Sequence, residues 1–246
     1  MKKELKQQIK QDELLSGIDH AWKWLQANRA RAQNIALAAL GLIVLVAGAL
    51  AFQSHRTHAA NLALDEAQHV YETPLAAEVT AGGAPAGSAS FPSAAEKYKK
   101  AAAAFDGVER AFPTLAAGLR ARYYGALCRI ELGDYETARK TLQVIADRQQ
   151  PGALEPTLAR LALADIARRT GAVEKALETY RALAEDASGV VPRDHALMTL
   201  AVTLEDASRR AEAYASYERL VEQFPNSVYA AEARRRAAYL HTDDQG

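Results

Sequence analysis

The segment "AYASYERLVEQFP" (residues 213–225) carries the pattern that decides the fold. A small residue, Ala213, is followed four positions later by Tyr217 and seven positions later by Leu220. Residues at i, i+4 and i+7 lie on one face of an α-helix, so the segment predicts a helix with one buried face. The proline at position 225 then ends this helix.

The same pattern occurs three times upstream, in "AAAAFDGVERAFP" (101–113), "ARKTLQVIADRQQP" (138–151) and "ALETYRALAEDA" (176–187). The four segments begin at residues 101, 138, 176 and 213, so they are 37, 38 and 37 positions apart. The equivalent apolar positions are Phe105, Leu142 and Tyr180, then Val108, Ile145 and Leu183. Such self-similarity at a fixed period is typical of stacked structural repeats.

Another predicted helix precedes each of the last three segments: "LRARYYGALCRIEL" (119–132), "TLARLALADIARRT" (157–170) and "DHALMTLAVTLEDA" (194–207). In the first two hairpins, Gly133 and Gly171 stand where the first helix must stop and turn. The third turn, "DASRRAEA", has Ser208 in place of glycine. The predicted unit is therefore a helical hairpin, and the predicted fold class is all-α.

These hairpins resemble tetratricopeptide repeats, although the usual period of that family is shorter. The resemblance implies an α-solenoid in which small residues meet where the two helices cross. In the first repeat, residues 56–75 take the role of the first helix, because the 80–93 segment displaces it. The small packing residues are Ala101, Ala126, Ala138, Ala164, Ala176, Ala201 and Ala213.

The register of the resemblance places one row of residues from the first helices on the concave surface of the solenoid. That row forms a predicted partner-binding groove, partly apolar with scattered charges, and it would suit an extended peptide. The alternative is that several of its members belong to the core between helices. The predicted groove residues are Tyr123, Leu127, Ile130, Leu161, Asp165, Arg168, Met198, Val202 and Glu205.

The stretch "IALAALGLIVLVAGALAF" (residues 35–52) contains no charged residue. As a helix it would be about 27 Å long, close to the thickness of the hydrocarbon core of a bilayer. It predicts a transmembrane anchor over residues 32–54. A buried helix of a soluble domain and a cleaved signal peptide are the alternatives, but 34 residues precede the stretch, which is long for a signal peptide.

The basic residues predict the orientation of this anchor. Residues 1–31 contain seven Lys or Arg, whereas the twenty or so residues after Phe52 contain only Arg56. The basic side stays in the cytoplasm, so the C-terminal domain is predicted to be outside, in the periplasm of a Gram-negative inner membrane. The predicted layout is a cytoplasmic amphipathic segment (1–31), the anchor (32–54), a first external helix (55–79), a flexible loop (80–93), repeats (94–242) and a tail (243–246).

The sequence shows no motif for a catalytic site, a cofactor or a metal. His55 and His58 are three positions apart, but no cysteine or paired acid accompanies them. Cys128 is interpreted as a small buried hydrophobe, and Arg234–Arg236 as a solvated face. Residues 53–246 hold 23 basic and 26 acidic groups, a net charge of −3, so no nucleic-acid partner is predicted. Neither a small-molecule substrate nor enzymatic activity is expected.

The layout of a short basic segment, one anchor and an external repeat domain resembles the ancillary SecYEG translocon subunit family. This resemblance implies protein partners, namely the translocon or periplasmic chaperones, and a role in assisting newly exported chains. The last repeat also resembles those of the Tol-Pal coordinator and of the outer-membrane assembly lipoprotein. The alternative function is therefore a scaffold or coordinator of another envelope complex, in cell division, wall synthesis or outer-membrane assembly.

Overall fold

Helices account for the secondary structure of the described residues, which in this computed structural model are 27–81, 89–148, 154–186 and 190–242. The prediction of an all-α solenoid is confirmed. Residues 1–26, half of the predicted 80–93 loop (82–88) and the predicted tail lie outside the described residues. The helices are α1 (Arg29–Glu72), α2 (Ala76–Ala81), α3 (Ala94–Ala111), α4 (Ala116–Glu131), α5 (Tyr135–Ala146), α6 (Leu154–Arg169), α7 (Val173–Glu185), α8 (Arg193–Asp206), α9 (Arg210–Gln223) and α10 (Ala230–Thr242).

The chain divides into two compact units, residues 1–58 and 59–246. In the first unit, the apolar part of α1 is exposed along its length; Leu45, for example, is 72% exposed and Phe52 is 68% exposed. Among the described helices, α1 is the one with the length and composition to cross a membrane. Its exposed surface argues against a core helix of a soluble domain, which would be largely buried.

In the second unit, consecutive helices pack as antiparallel neighbours in hairpins: α4 with α5, α6 with α7, and α8 with α9. The last part of α1 supplies Ala60, Leu64 and Ala67 to a hydrophobic cluster with α3 and α4. The helix α10 packs on α9 and closes the series. The repeated i, i+4, i+7 residues of α3, α5, α7 and α9 are all buried.

The three hairpin turns share one backbone geometry. Gly133 and Gly171 have φ angles of +78° and +82°, which confirms their predicted role as helix stops, and Ser208 has a φ of +60° at the equivalent position. The following amide donates to a carbonyl five residues back in each case, from Asp134 to Arg129, from Ala172 to Ala167 and from Arg209 to Leu204, at 2.8–2.9 Å. This is the Schellman ending of a helix. Ser208 adopts it without the freedom of glycine, at a cost of about 1 kcal/mol.

The ends of the predicted 80–93 loop are held together. Pro74 lies between α1 and α2, so the predicted helix over 55–79 corresponds to the end of α1, a break and α2. The amide of Phe91 donates to the carbonyl of Pro74 at 2.9 Å, and the amide of Ala76 donates to the carbonyl of Phe91 at 2.8 Å. Ser93 then caps α3 by accepting from the amide of Glu96.

Candidate functional site

A pocket of about 210 Å³ opens between the end of α1 and the helices α4 and α6. Five of the nine predicted groove residues line it, two of them from α6 and three from α4. Each helix presents one face to the pocket because the lining residues are spaced three or four positions apart. The lining residues are Tyr71, Tyr123, Leu127, Ile130, Glu131, Leu161, Ala162 and Asp165.

Three lining residues, Tyr71, Glu131 and Ala162, were not singled out by the sequence pattern, and Tyr71 of α1 is the largest of them. Its ring lies 6.0 Å from the rings of Tyr98 and Tyr124 and 6.2 Å from that of Phe105. The ammonium group of Lys97 lies 6.0 Å from the centre of the Tyr71 ring. Aromatic pairs at these separations stabilise one another, so the wall of the pocket is a fixed group of rings.

The phenol groups of this wall stay protonated at neutral pH. Burial, followed by the neighbouring Tyr124 and Tyr71, raises the pKa of Tyr123 to about 12. Burial also raises the pKa of Tyr71 and of Tyr98. No residue in the described part of the chain hydrogen-bonds to the hydroxyl of Tyr71 or of Tyr123. These hydroxyls are thus available to donate to, and accept from, a bound molecule.

The charged residues at the mouth of the pocket are paired within the fold. Asp165 accepts from Arg168 at 2.8 Å and from Arg169 at 2.7 Å. Arg169 also donates to Glu131 of α4 at 2.8 Å, which joins α4 to α6. The open part of the pocket therefore offers aromatic and aliphatic surface rather than unpaired charge.

The remaining predicted groove residues lie on α6 and α8, and the structure gives the charged ones internal partners. Arg168 lies 3.9 Å from Asp206 of α8. Glu205 accepts from the hydroxyl of Tyr217 at 2.7 Å and from Arg236 at 3.1 Å. Met198 and Val202 pack, partly buried, against the C-terminal core cluster, as Leu161 of the pocket does. Ile130, which lines the pocket, is only 3% exposed and belongs to the cluster among α4, α5 and α6. Five of the nine predicted residues therefore line one pocket, and the others extend the row along α6 and α8.

All seven predicted packing alanines are buried, with at most 2% of any of them exposed. Their small size lets the two helices of each hairpin approach closely. They form the scaffold that holds the α4 and α6 faces side by side rather than part of the pocket surface.

The other singled-out residues do not form a site. Cys128 is buried, and burial raises the pKa of its thiol to about 12, so the thiol stays protonated. His55 and His58 are exposed on α1. Within the described residues no three His, Cys, Asp or Glu side chains cluster in a way that could hold a metal. In the Arg234–Arg236 run, Arg234 and Arg235 are exposed, as expected of a solvated face, and Arg236 is half-buried and pairs with Glu205 and Glu232.

The profile of the tetratricopeptide repeat-like domain matches residues 23–189, about two thirds of the chain. The chain belongs to this family. A tetratricopeptide repeat also matches residues 195–227, which contain α8 and α9. Such repeats are typically protein-interaction scaffolds rather than catalysts, which indicates a protein–protein interaction module.

One solved structure with a TM-score above 0.5 shares the helical-repeat fold, and a second is similar over a smaller part of the chain. A point variant of a Podosopora anserina protein described as a kinesin light chain with nearly identical TPR-like repeats is 14% identical, with a TM-score of 0.52, over 78% of this chain and 88% of that one. The parent structure is 15% identical, with a TM-score of 0.49, over 61% and 80%. No curated protein sequence matches the chain closely enough to count as a relative.

Proposed function

We propose that this chain is a membrane-anchored binding module whose α1–α4–α6 pocket takes an extended, partly apolar segment of another polypeptide. The pocket carries the proposal. Tyr71, Tyr123, Leu127 and Leu161 present aromatic and aliphatic surface in a concavity of about 210 Å³. Tyrosine is enriched at protein interfaces because it combines apolar area with a hydroxyl. Bound backbone would supply hydrogen-bond partners to the hydroxyls of Tyr71 and Tyr123, which have none among the described residues.

The anchor is the second part of the proposal. The family match begins at residue 23 and so includes the apolar stretch of α1 as well as the first repeats. A helix that exposes Leu37, Leu45 and Phe52 is stabilised in lipid, where these side chains leave water. The seven basic residues before it favour a cytoplasmic N-terminus and an external, periplasmic repeat domain.

Assistance to the Sec translocon, or transfer of newly exported chains to periplasmic chaperones, is the role that we propose for this module. An anchored pocket is held close to the membrane, where exported chains emerge in an extended form. Confinement raises the effective concentration of the pocket there, so weak binding per contact suffices. A coordinator of another envelope complex would share the fold, and the identity of the captured partners distinguishes the two roles.

A topology experiment tests the anchor. Alkaline phosphatase fused after Gly246 is expected to be active, and a reporter that works only in the cytoplasm is expected to be silent. The purified protein should retain Met1 by mass spectrometry. An active cytoplasmic reporter would refute the orientation, and an N-terminus near Phe52 would identify a signal peptide instead.

A photo-crosslinking experiment tests the pocket in intact membranes. Benzoyl-phenylalanine replaces Tyr71 in the full chain, and its products are compared in two backgrounds. Leu161→Gln places an amide in the pocket and should weaken the products several-fold. Val144→Gln makes the same kind of change on α5, where the side chain is 55% exposed and outside the pocket, and should leave them unchanged.

Mass spectrometry of the crosslinked products then identifies the class of partner protein. Translocon subunits and chaperones support the proposed role, whereas components of one division, wall-synthesis or outer-membrane assembly machine support the scaffold. Circular dichroism confirms that both variants keep their helical content. If Leu161→Gln folds normally and gives the same products in the same yield as Val144→Gln, the pocket is not the binding surface.

A further inference from the structure

Two equivalent grooves lie between consecutive second helices of the repeats. Groove I, of about 430 Å³, is bounded by α5, α6 and α7, and groove II, of about 360 Å³, by α7, α8 and α9. Neither shares a lining residue with the α1–α4–α6 pocket. The repeats superimpose in sequence, so five lining positions of groove I have counterparts among the lining positions of groove II and can be compared directly. They are Gln143, Leu163, Ala167, Lys175 and Thr179, which correspond to Arg181, Leu200, Leu204, Glu212 and Ser216.

Two ion pairs bridge groove II from α7 to α9. Arg181 of α7 contacts Glu212 of α9 at 3.0 Å, and Arg219 of α9 contacts Glu185 of α7 at 2.5 Å. Its lining therefore contains two cations and two anions and has no net charge. The repeats themselves satisfy the charged groups of this groove.

Groove I has neither of these pairs: Gln143 and Lys175 stand at the positions of Arg181 and Glu212, and the second pair is missing because Ala182 stands at the position of Arg219. Gln143 stands five positions after Ala138, where Arg181 stands five after Ala176, and Lys175 directly precedes Ala176, where Glu212 directly precedes Ala213. The lining contains the cations Arg139 and Lys175 and no carboxylate, so its net charge is +2.

The two cations of groove I differ in their partners. Arg139 is paired with Glu136 of its own helix, an exposed pair of the kind that contributes little and exchanges easily. Among the described residues, no carboxylate lies within ion-pair distance of Lys175. Asp147, which follows α5, accepts from the side-chain amide of Gln143 at 2.7 Å, so this carboxylate is also engaged within the fold. Lys175 is therefore a cation at the rim with no internal counterion in the described structure.

We propose that groove I is a second docking surface, which binds an acidic, amphipathic segment of a partner protein. Leu163, Ala164 and Ala167 form an apolar floor on which the apolar side chains of such a segment would lie. Carboxylates of the segment would pair with Lys175 and Arg139. They would take the role that Glu212 of the chain itself has toward Arg181 in groove II. Two cations on a domain of net charge −3 do not suit a nucleic acid or an anionic bilayer, which extended basic surfaces recognise.

Leu161 and Leu163 show how one helix serves both surfaces. These residues lie two positions apart on α6, on opposite sides of the helix, and line the α1–α4–α6 pocket and groove I, respectively. The repeat domain can thus hold an extended apolar chain on one side and an acidic partner on the other.

Fluorescence anisotropy of the full chain in detergent tests the proposal. The probe is a labelled twelve-residue peptide of Leu-Glu-Glu units, and the comparison peptide has Lys in place of Glu. The acidic peptide should bind, and the basic one should bind at least tenfold more weakly. Lys175→Glu should weaken the binding of the acidic peptide by about fivefold or more, because it changes the charge at this rim position from +1 to −1.

The double variant Gln143→Arg and Lys175→Glu rebuilds the cross-groove pair of groove II. It should no longer bind the acidic peptide, but its melting temperature should be no lower than that of the native protein. This result would distinguish a lost binding surface from a failure to fold. Lys99→Glu makes the same charge change on an exposed site of α3 and should alter affinity less than twofold. Leu161→Gln should leave this peptide unaffected.

Three results would overturn the proposal. Equal weakening by Lys175→Glu and Lys99→Glu would mean that the peptide responds only to net charge. Equal binding of the acidic and basic peptides would mean that no carboxylate is recognised. Tighter binding of a twelve-nucleotide single strand, or of a short-chain anionic phospholipid that dissolves in the detergent, than of the acidic peptide, abolished by Lys175→Glu, would assign the groove to phosphate instead.

Discussion

Gly118, in the first turn of α4, lies directly against the backbone of Phe112, the residue that ends α3. A Cβ atom at this position would lie 1.9 Å from the carbonyl oxygen of Phe112 and 2.7 Å from its carbonyl carbon. Both are backbone atoms. The amide of Phe112 donates to the carbonyl of Val108 at 2.9 Å, and its carbonyl accepts from Leu115 at 3.2 Å, so this turn has little room to move. Gly118→Ala must therefore push α3 and α4 apart.

The expected magnitude follows from two opposed effects. Alanine is favoured over glycine within a helix by about 1 kcal/mol. Overpacking costs about 1–3 kcal/mol, and an overlap of more than 1 Å with fixed backbone falls at or above the upper end of that range. Gly118→Ala should therefore lower the free energy of unfolding by about 2 kcal/mol. Gly107→Ala, in α3, meets nothing within 4 Å and should raise it by about 0.5–1 kcal/mol.

Thermal melting of the full chain in detergent, followed by circular dichroism, measures the difference. At about 2–4 °C per kcal/mol for a domain of this size, Gly118→Ala should lower Tm by about 4–8 °C, and Gly107→Ala should raise it by about 1–4 °C. Hydrogen exchange should become faster in peptides from residues 94–131. A Gly118→Ala protein that melts at or above the native Tm, with unchanged exchange in these peptides, would refute the proposed close approach.

The buried thiol of Cys128, whose pKa is raised to about 12, should resist iodoacetamide at about pH 8 and react fully in urea; rapid alkylation of the folded protein would contradict its burial. Ala176→Leu should overpack the hairpin crossing and cost about 1–3 kcal/mol in a denaturant titration, whereas Ala182→Leu on the exposed face of α7 should be nearly neutral. Burial raises the pKa of Tyr123 and Tyr180 to about 12, above the unfolded value of about 10. The stability that this provides is complete below about pH 10 and is lost as the pH rises through about 12, so unfolding and tyrosine absorbance should change together in that interval; a melting temperature that stays constant across it would be inconsistent with this linkage.

The fold could be predicted because the residues that pack the helices of each repeat lie close together in the sequence. Ala176, Tyr180 and Leu183 lie within two turns of one helix, and their spacing alone shows that they share a buried face. Gly171 marks its turn in the same local way. Ser208 adopts the same left-handed geometry without this signal, because the repeat imposes the turn on a residue that does not itself favour it.

The candidate site was less accessible to prediction, because its properties depend on contacts between repeats. Glu205 has the register of a groove residue, but its partners are Tyr217 and Arg236, 12 and 31 positions away, and only the stacking of α8, α9 and α10 brings them together. Tyr71 was within the segment assigned as the first helix of the array. The regular pattern gave no reason to single it out, since its helix precedes an irregular connection rather than a repeat turn.

Because Leu75 pairs with Phe91, the connection between these two residues can change in length without disturbing the helices that follow it. The two backbone hydrogen bonds of this pairing fix both ends of the intervening chain, and the Ser93 cap starts α3 independently of what precedes Phe91. Extra residues between these ends would add only closure entropy, about 0.6 kcal/mol for each doubling in length. This connection is therefore the place where evolution, or an engineer inserting an epitope, can lengthen the chain while the helical hairpins keep their stacking.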